Sequence, residues 1–371
     1  MLSAIVMSMA VAGIIGLQLS PDPGLATLPI AAMVVGVAVA SLPAGLFMRR
    51  AGRRTGFLIG GLIGVIASLL SVYALQVQSF ALFVLGHFLL GSYQGFANYY
   101  RFAAVEAAAP AHASKAISLV VAGGIVAAFL GPQIGQWGRE LVASHLFAGS
   151  YLIQATLTVI ALALLSGLRL PVATATQGGE ARPLAEIIRQ PALQMSIFGA
   201  SVGYSAMIMA MTATPLAMLG CGLPGTSVTP VIQWHVVGMF APSFFTGDLI
   251  KRFGAPRIMQ IGFVLLLAHV AIAVSGLEFL HFLSALILLG LGWNFAFIGG
   301  TALLTQTYRP AEQLRVQMVN EFIVFGLVAT ASLSAGWIYT HFGWGLLNLS
   351  MVPLLVVALL AATRMAGAAR T

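Results

Sequence analysis

Two pairs of side chains that bind soft metal ions stand in neighbouring apolar stretches of the sequence. Met207 and Met211 form the first pair, and His235 and Met239 form the second. A spacing of four residues places each pair on one face of a helix, about one turn apart. If the two helices form an antiparallel hairpin that turns near Leu223 and touch, Met211 faces His235 and Met207 faces Met239, because residues at equal depth have a constant index sum.

Three thioethers and one imidazole suit a soft monovalent cation, and Cu(I) fits them far better than Mg²⁺, Ca²⁺ or Mn²⁺. Cys221, the only cysteine, follows the methionine pair and could be a first docking ligand. Plainer interpretations stay open. Methionine commonly fills gaps between packed helices, His235 could bond to a neighbouring helix, and Cys221 could be an ordinary loop residue.

Composition defines the class of protein. Of 371 residues, 60% are hydrophobic and 7% are charged, and the mean hydropathy is +1.00. These values predict a polytopic helical membrane protein. The net charge of +8 reflects membrane topology rather than nucleic-acid binding, because no basic patch is interleaved with stacking aromatics. A single cysteine excludes an intramolecular disulfide and a cysteine-rich metal site.

Twelve apolar stretches are long enough to cross about 30 Å of hydrocarbon. We predict membrane-spanning helices at about 2–20, 25–48, 56–77, 80–105, 115–138, 147–168, 191–220, 228–249, 257–276, 279–304, 316–340 and 345–363.

The basic residues predict the orientation. With the N-terminus inside, all of the 17 lysines and arginines except Arg101 and Arg139 fall in cytoplasmic segments. We therefore expect a multi-pass protein of the bacterial inner membrane with both termini in the cytoplasm. The first apolar run lacks a basic leader and is taken as the first span rather than a signal peptide.

The chain divides into two halves that repeat each other. Residues 1–168 and 191–371 each hold six spans, and the polar segment 169–190 links them across the cytoplasmic side. A basic, glycine-containing turn follows the second and the eighth span, offset by 202 residues. Its members are Gly45, Arg50, Gly52 and Arg53 in the first copy and Gly247, Arg252 and Gly254 in the second. Such a duplication is typical of transporters that bind substrate between their halves.

These turns resemble the loop motif G-x-x-x-D-R-x-G-R-R of the major facilitator superfamily. The acidic position of the motif is Arg49 in the first copy and Lys251 in the second. In the family this carboxylate helps to hold the two halves together on the cytoplasmic side, and here both copies lack it. The resemblance implies an all-α membrane fold of twelve transmembrane helices in two pseudo-symmetric six-helix bundles.

A narrower resemblance is to the CcoA-type copper importers of this superfamily. Met207, Met211, His235 and Met239 occupy the matching positions, and Cys221 matches a cysteine after the methionine pair. This resemblance implies import of copper for haem-copper oxidase assembly by alternating access. Copper would be cargo rather than a cofactor, and the partners would be the lipid bilayer and a copper chaperone around a monomeric transporter. The same branch also contains riboflavin importers.

Several polar or kinked positions within the spans are candidates for the transport pathway or its gating. They could equally form networks or bends that only hold helices together. The candidates are Tyr99, Tyr100, Arg101, Pro215, Trp234, Trp293, Asn320 and Glu321.

Three alternatives to copper import stay open. The first is an importer of riboflavin or another flat aromatic, with Trp234, Trp293, Phe297, Tyr99 and Tyr100 as stacking surfaces. The second is a proton-coupled exporter of hydrophobic cations, which the sequence disfavours because its nine acids fall at span ends or in loops. The third is a metal sensor. No phosphate-binding loop or hydrolase set indicates an enzyme.

Overall fold

The computed structural model describes residues 1–100, 103–104, 113–167 and 181–368. Nearly all of these residues are helical, as predicted. The helices of the first half are α1 (Leu2–Leu19), α2 (Leu28–Ala51), α3 (Arg53–Gln76), α4 (Phe80–Ala97), α5 (Ala113–Trp137) and α6 (Ala148–Ser166).

The helices of the second half begin with a short one in the predicted linker. They are α7 (Leu184–Ile188), α8 (Pro191–Gly220), α9 (Val228–Phe240), α10 (Ser243–Phe253), α11 (Ala255–Ser275), α12 (Phe279–Leu304), α13 (Gln313–Leu349) and α14 (Val352–Ala368). Single 3₁₀ turns lie at Pro23–Leu25, Gly225–Ser227 and Pro310–Glu312.

Within the described residues, nine segments are long and apolar enough to cross a membrane. One of them, Arg315–Gly367, contains both of the last two predicted spans. Gly343 separates these two spans, because its φ of 77° and ψ of 179° interrupt the helix. The fifth predicted span corresponds to α5, and the eighth is divided between α9 and α10.

The two glycine turns have the same conformation. Gly52 joins α2 to α3 with φ 85° and ψ 156°, and Gly254 joins α10 to α11 with φ 83° and ψ 148°. One residue therefore reverses the chain at both places. A positive φ of this size is open to glycine and strained for residues with a Cβ. The repeat seen in the sequence thus corresponds to a repeated backbone geometry.

Contacts between Cα atoms divide the chain into two compact units. The first comprises Met1–Ala173 with Ser332–Thr340, and the second comprises Thr174–Ala331 with His341–Thr371. In the first unit, α4 packs against α2 and α3, α3 against α6, and α1 against α5. In the second unit, α12 is the central element, since α8, α9 and α11 all pack extensively against it.

The outward-facing side chains of both units are largely aliphatic. Leu164 is 73% exposed and Leu280 is 67% exposed. Exposing such an apolar surface to water is unfavourable, whereas exposing it to hydrocarbon is not. The surface of each unit therefore agrees with burial in a bilayer.

Candidate functional site

The eighth span does not pair with the seventh in the way the methionine and histidine spacing predicts. Helices α8 and α9 each pack against α12 and make few contacts with each other. Glycines explain the choice of partner. A Cβ on Gly238 would lie 2.9 Å from the carbonyl oxygen of Ile287, and one on Gly203 would lie 2.8 Å from the Cβ of Ala296. Because glycine has no side chain, both helices approach α12 closely. The expected contact between α8 and α9 is therefore replaced by separate contacts of each helix with α12.

The four predicted metal ligands in the spans are all buried. Met207, Met211 and Met239 are at most 7% exposed, and His235 is fully buried. Cys221, in contrast, is exposed at the end of α8. In the part of the chain that the structure describes, no group of three or more His, Cys, Asp or Glu side chains could hold a metal ion. A copper site at this place would therefore depend on the thioethers.

His235 uses one ring nitrogen to bind the central helix. Its Nδ1 lies 2.8 Å from the carbonyl oxygen of Leu286. A carbonyl only accepts, so Nδ1 carries the proton and donates it, and Nε2 of the neutral ring keeps a lone pair. Nε2 is buried and has no hydrogen-bond partner within the described ranges of the chain. His235 thus bonds to a neighbouring helix through Nδ1, as the plainer interpretation predicts. The lone pair of Nε2 is left to accept a hydrogen bond or to bind a metal ion.

A second histidine, which we did not single out in the sequence, makes the same type of contact. Nδ1 of the buried His269, in α11, donates to the carbonyl oxygen of Ala285 at 2.9 Å. Two histidines from two helices therefore donate to consecutive carbonyls of α12. The signal was present in the sequence, because His269 is an ionisable residue in the middle of an apolar span.

Asn294 holds the break in the eighth span. Helix α9 ends at Phe240 and α10 begins at Ser243, on either side of Pro242. The Nδ2 of Asn294 donates to the carbonyl oxygen of Met239 at 2.6 Å and lies 2.8 Å from the Ser243 hydroxyl. A helix that ends within an apolar environment needs partners for its last carbonyls, and Asn294 supplies one. Ala241 and Pro242 keep helical φ and ψ, so the span predicted over 228–249 continues through a proline kink.

Five aromatic rings from four helices, with Trp293 among them, form a group that we call the aromatic cluster. The rings of Trp293 and Phe297, one turn apart on α12, are stacked with centroids 5.1 Å apart and an interplanar angle of 12°. Tyr204 of α8 lies 5.4 Å from Trp293 and 5.3 Å from Phe297. Phe325 meets Tyr204 edge-on, and Phe240 meets Trp293 edge-on.

The five members of the aromatic cluster differ in burial. Trp293, Phe240 and Phe325 are buried, whereas Tyr204 and Phe297 are half-buried. Trp293 and Phe297 were predicted as stacking residues. Tyr204, Phe240 and Phe325 were missed, because nothing in the sequence indicates which rings of distant segments meet.

The other predicted aromatic residues lie elsewhere. Trp234 is 50% exposed on α9. Tyr99 is fully buried, and its hydroxyl donates to the carbonyl oxygen of Ser41 at 2.9 Å while the Arg53 guanidinium lies over its ring. Tyr100 packs on Phe57 with centroids 4.4 Å apart. Tyr99 and Arg53 thus connect the fourth span to the loop motif of the first unit, and Arg101 lies outside the described residues.

Three further pathway candidates are also buried. Asn320 and Glu321 lie in α13, where the Asn320 Nδ2 donates to the Glu321 Oε1 at 3.1 Å. Glu321, near the start of its predicted span, is 2% exposed. Pro215 lies inside α8, which continues to Gly220. Because proline has no N–H, the carbonyl of Met211 lacks the usual helical bond.

These features define the class of protein. Apolar helices in two units, matched glycine turns after the second and eighth spans, and buried polar and aromatic side chains inside the spans are the properties of a secondary transporter. A family model described as the Major Facilitator Superfamily matches residues 1–313. The chain belongs to that superfamily.

The sequence is similar to characterised and uncharacterised transporters. It is 42% identical over 350 residues to the riboflavin transporter RfnT of Brucella anthropi, covering 94% of this chain and 88% of the relative. It is 29% identical over 346 residues to the uncharacterised MFS-type transporter YddS of Bacillus subtilis, covering 88% of this chain and 79% of the relative. RfnT is consistent with the branch that the sequence indicated, and YddS with the superfamily.

Among solved structures, the fold is similar to that of FucP, a major facilitator transporter crystallised in the outward conformation. The TM-score is 0.66, with 98% of this chain and 97% of the FucP chain covered, at 16% identity. A likeness at this identity concerns the fold and not the substrate. The predicted major facilitator fold is confirmed.

Proposed function

We propose that this chain imports riboflavin, or a closely related flat heteroaromatic compound, across the bacterial inner membrane by alternating access. The observation that carries the proposal is the 42% identity, over nearly the whole chain, to a protein named as a riboflavin transporter. The transporter would act as a carrier and would not alter its substrate.

The aromatic cluster suits this substrate. A flavin ring system is flat and largely apolar with polar groups at its edge, and aromatic pairs gain about 0.5–1.5 kcal/mol beyond their area burial. The half-buried Tyr204 and Phe297 offer ring surface, and the buried Trp293 and Phe325 hold them in place. A rigid set of rings loses little side-chain freedom when the substrate binds.

Copper import is the second candidate. One observation favours it: the unpartnered Nε2 of His235, in a helix that also carries the buried Met239. Two observations weigh against it. Met207 and Met211 lie on α8, which packs mainly on α12 and makes few contacts with the helix of His235, and the relative that is 42% identical is named as a riboflavin transporter. The copper chaperone and the role in oxidase assembly depend on this candidate.

The proposal is tested by measuring uptake of labelled riboflavin and of radioactive copper, side by side, in cells that lack their own riboflavin importer. We expect wild type to accumulate riboflavin and not copper. Tyr204→Ala and Phe297→Ala should reduce riboflavin uptake strongly, whereas the matched control Trp234→Ala should not, because Trp234 is half exposed and outside the aromatic cluster.

A second set of variants separates the two cargoes. Met207→Leu and Met211→Leu remove sulfur while nearly conserving side-chain volume. Riboflavin uptake should survive both substitutions. Copper accumulation by wild type that these variants abolish, with no riboflavin uptake, would overturn the proposal in favour of the second candidate.

A further inference from the structure

The indole of Trp293 carries a buried donor that the protein does not satisfy. It is 5% exposed, and its Nε1 has no hydrogen-bond partner among the residues that the structure describes. Buried tryptophans usually find a partner for this N–H, and an unsatisfied buried donor costs about 1–3 kcal/mol. The site bears this cost although phenylalanine at Phe295 and Phe297 shows that α12 accommodates rings without a polar atom.

The surroundings restrict what could accept this bond. The rings in contact with Trp293 are Tyr204, Phe240 and Phe297, and none of them is charged. A carboxylate would be expensive to bring into such an apolar place, whereas a neutral carbonyl or ring nitrogen would not. Indole N–H only donates, so the partner must be an acceptor.

We propose that the Nε1–H of Trp293 donates a hydrogen bond to a carbonyl or ring nitrogen at the edge of a neutral, flat heteroaromatic substrate, and thereby selects such rings over purely hydrocarbon ones. This inference rests on the proposed function. The rings of the aromatic cluster provide stacking that tolerates many flat compounds, and the single donor adds the orientation. A site built to bond a polar group discriminates against analogues that lack it, because its own group is then left unpaired.

The test is Trp293→Phe, which keeps a ring and removes the N–H. We expect the KM for riboflavin uptake to rise about fivefold to tenfold, the range that corresponds to one hydrogen bond, while the maximal rate stays within about twofold. Trp137→Phe is the matched control, because it makes the same change at a position that is 63% exposed and outside the aromatic cluster. It should leave both constants unchanged.

A stability measurement separates a ligand role from a structural one. In detergent without riboflavin, Trp293→Phe should lower Tm only by the packing that the smaller ring loses against Tyr204, Phe240 and Phe297. The upward shift of Tm that riboflavin produces in wild type should shrink in the variant.

Each result has one meaning. An unchanged KM in Trp293→Phe, with normal uptake by wild type, would overturn this inference and leave the proposed function standing. A riboflavin-induced shift of Tm equal to that of wild type would also overturn it, since the N–H would then not contact the substrate. Absence of riboflavin uptake by wild type would overturn the proposed function and the inference with it.

Discussion

Arg182 and Glu312 form a bidentate ion pair, although they are 130 residues apart in the sequence. The Nε of Arg182 donates to Oε1 of Glu312 at 2.8 Å, and its Nη2 donates to Oε2 at 2.7 Å. The backbone N–H of Arg182 also donates to Oε1, at 2.9 Å. Glu312 is 1% exposed. This geometry is the strong, bidentate form of an arginine–carboxylate pair.

The pair fastens the end of the linker to the second unit. Arg182 Nη2 and Gln190 Nε2 both donate to the carbonyl oxygen of Thr307. Beneath them, the α7 side chain of Ile187 belongs to a small apolar core with Leu193, Leu304 and Val316. Residues 181–190, the described part of the predicted linker, are therefore anchored to the connection between α12 and α13.

Removing the Glu312 carboxylate should destabilise the transporter. The hydrogen bonds from Arg182 are the main reason that the pKa of Glu312 lies far below its usual range. Glu312→Gln leaves Arg182 without its anion, so we expect a lower Tm at pH 7 in detergent. Glu186→Gln, an exposed acid on the same linker helix, should have no effect. Equal melting temperatures for Glu312→Gln and wild type would contradict the anchoring role.

The same pair predicts a pH dependence. Because the folded-state pKa of Glu312 is depressed, its stabilising effect is present above the pKa of the unfolded chain, near 4.3, and is lost as the pH falls below that value. The melting temperature of wild type should therefore decrease more steeply between about pH 5 and pH 3 than that of Glu312→Gln. Parallel pH curves would assign the acid sensitivity to other groups.

Gly254 should not tolerate a side chain. Its φ of 83° strains any residue with a Cβ, so Gly254→Ala should destabilise the protein by about 1–2 kcal/mol. Gly247→Ala is the control, because Gly247 lies inside α10 with open space around its Cα and alanine favours helix. Thermal unfolding of both variants checks the prediction, which fails if the two behave alike.

Asn294 should be required for the break in the eighth span. Asn294→Leu leaves the Met239 carbonyl without its partner, and we expect a loss of about 1–3 kcal/mol. Ser243→Ala removes only one contact of the same amide and should be milder. Chemical or thermal unfolding in detergent ranks the two. If Ser243→Ala is the more damaging, Asn294 does not hold the break.

Cys221 offers a direct test of orientation. It is the only cysteine and is exposed, in the connection that the charge pattern places outside. A membrane-impermeant maleimide should label wild type in spheroplasts, and Cys221→Ser should abolish the label. Labelling only in inverted vesicles would reverse the predicted topology.

Much of the fold could be predicted because its signals are local. Runs of apolar residues that are long enough to cross a bilayer indicate spans wherever they occur. Basic residues indicate which loops stay on the cytoplasmic side. Gly52 and Gly254 are likewise local, since one residue with positive φ is enough to turn the chain. The same reasoning did not reveal the kink at Pro242, because the apolar run continues through it.

The sequence by itself determined the class of protein, the twelve spans and the two matched turns. Only the tertiary structure decided that α8 and α9 both lie against α12, that Tyr204 meets Trp293, and that Arg182 meets Glu312. The reason is that each of these contacts joins segments far apart in the chain. Which helices become neighbours depends on where glycines permit close approach and on how all the helices share the available faces, and no short stretch of residues contains that information.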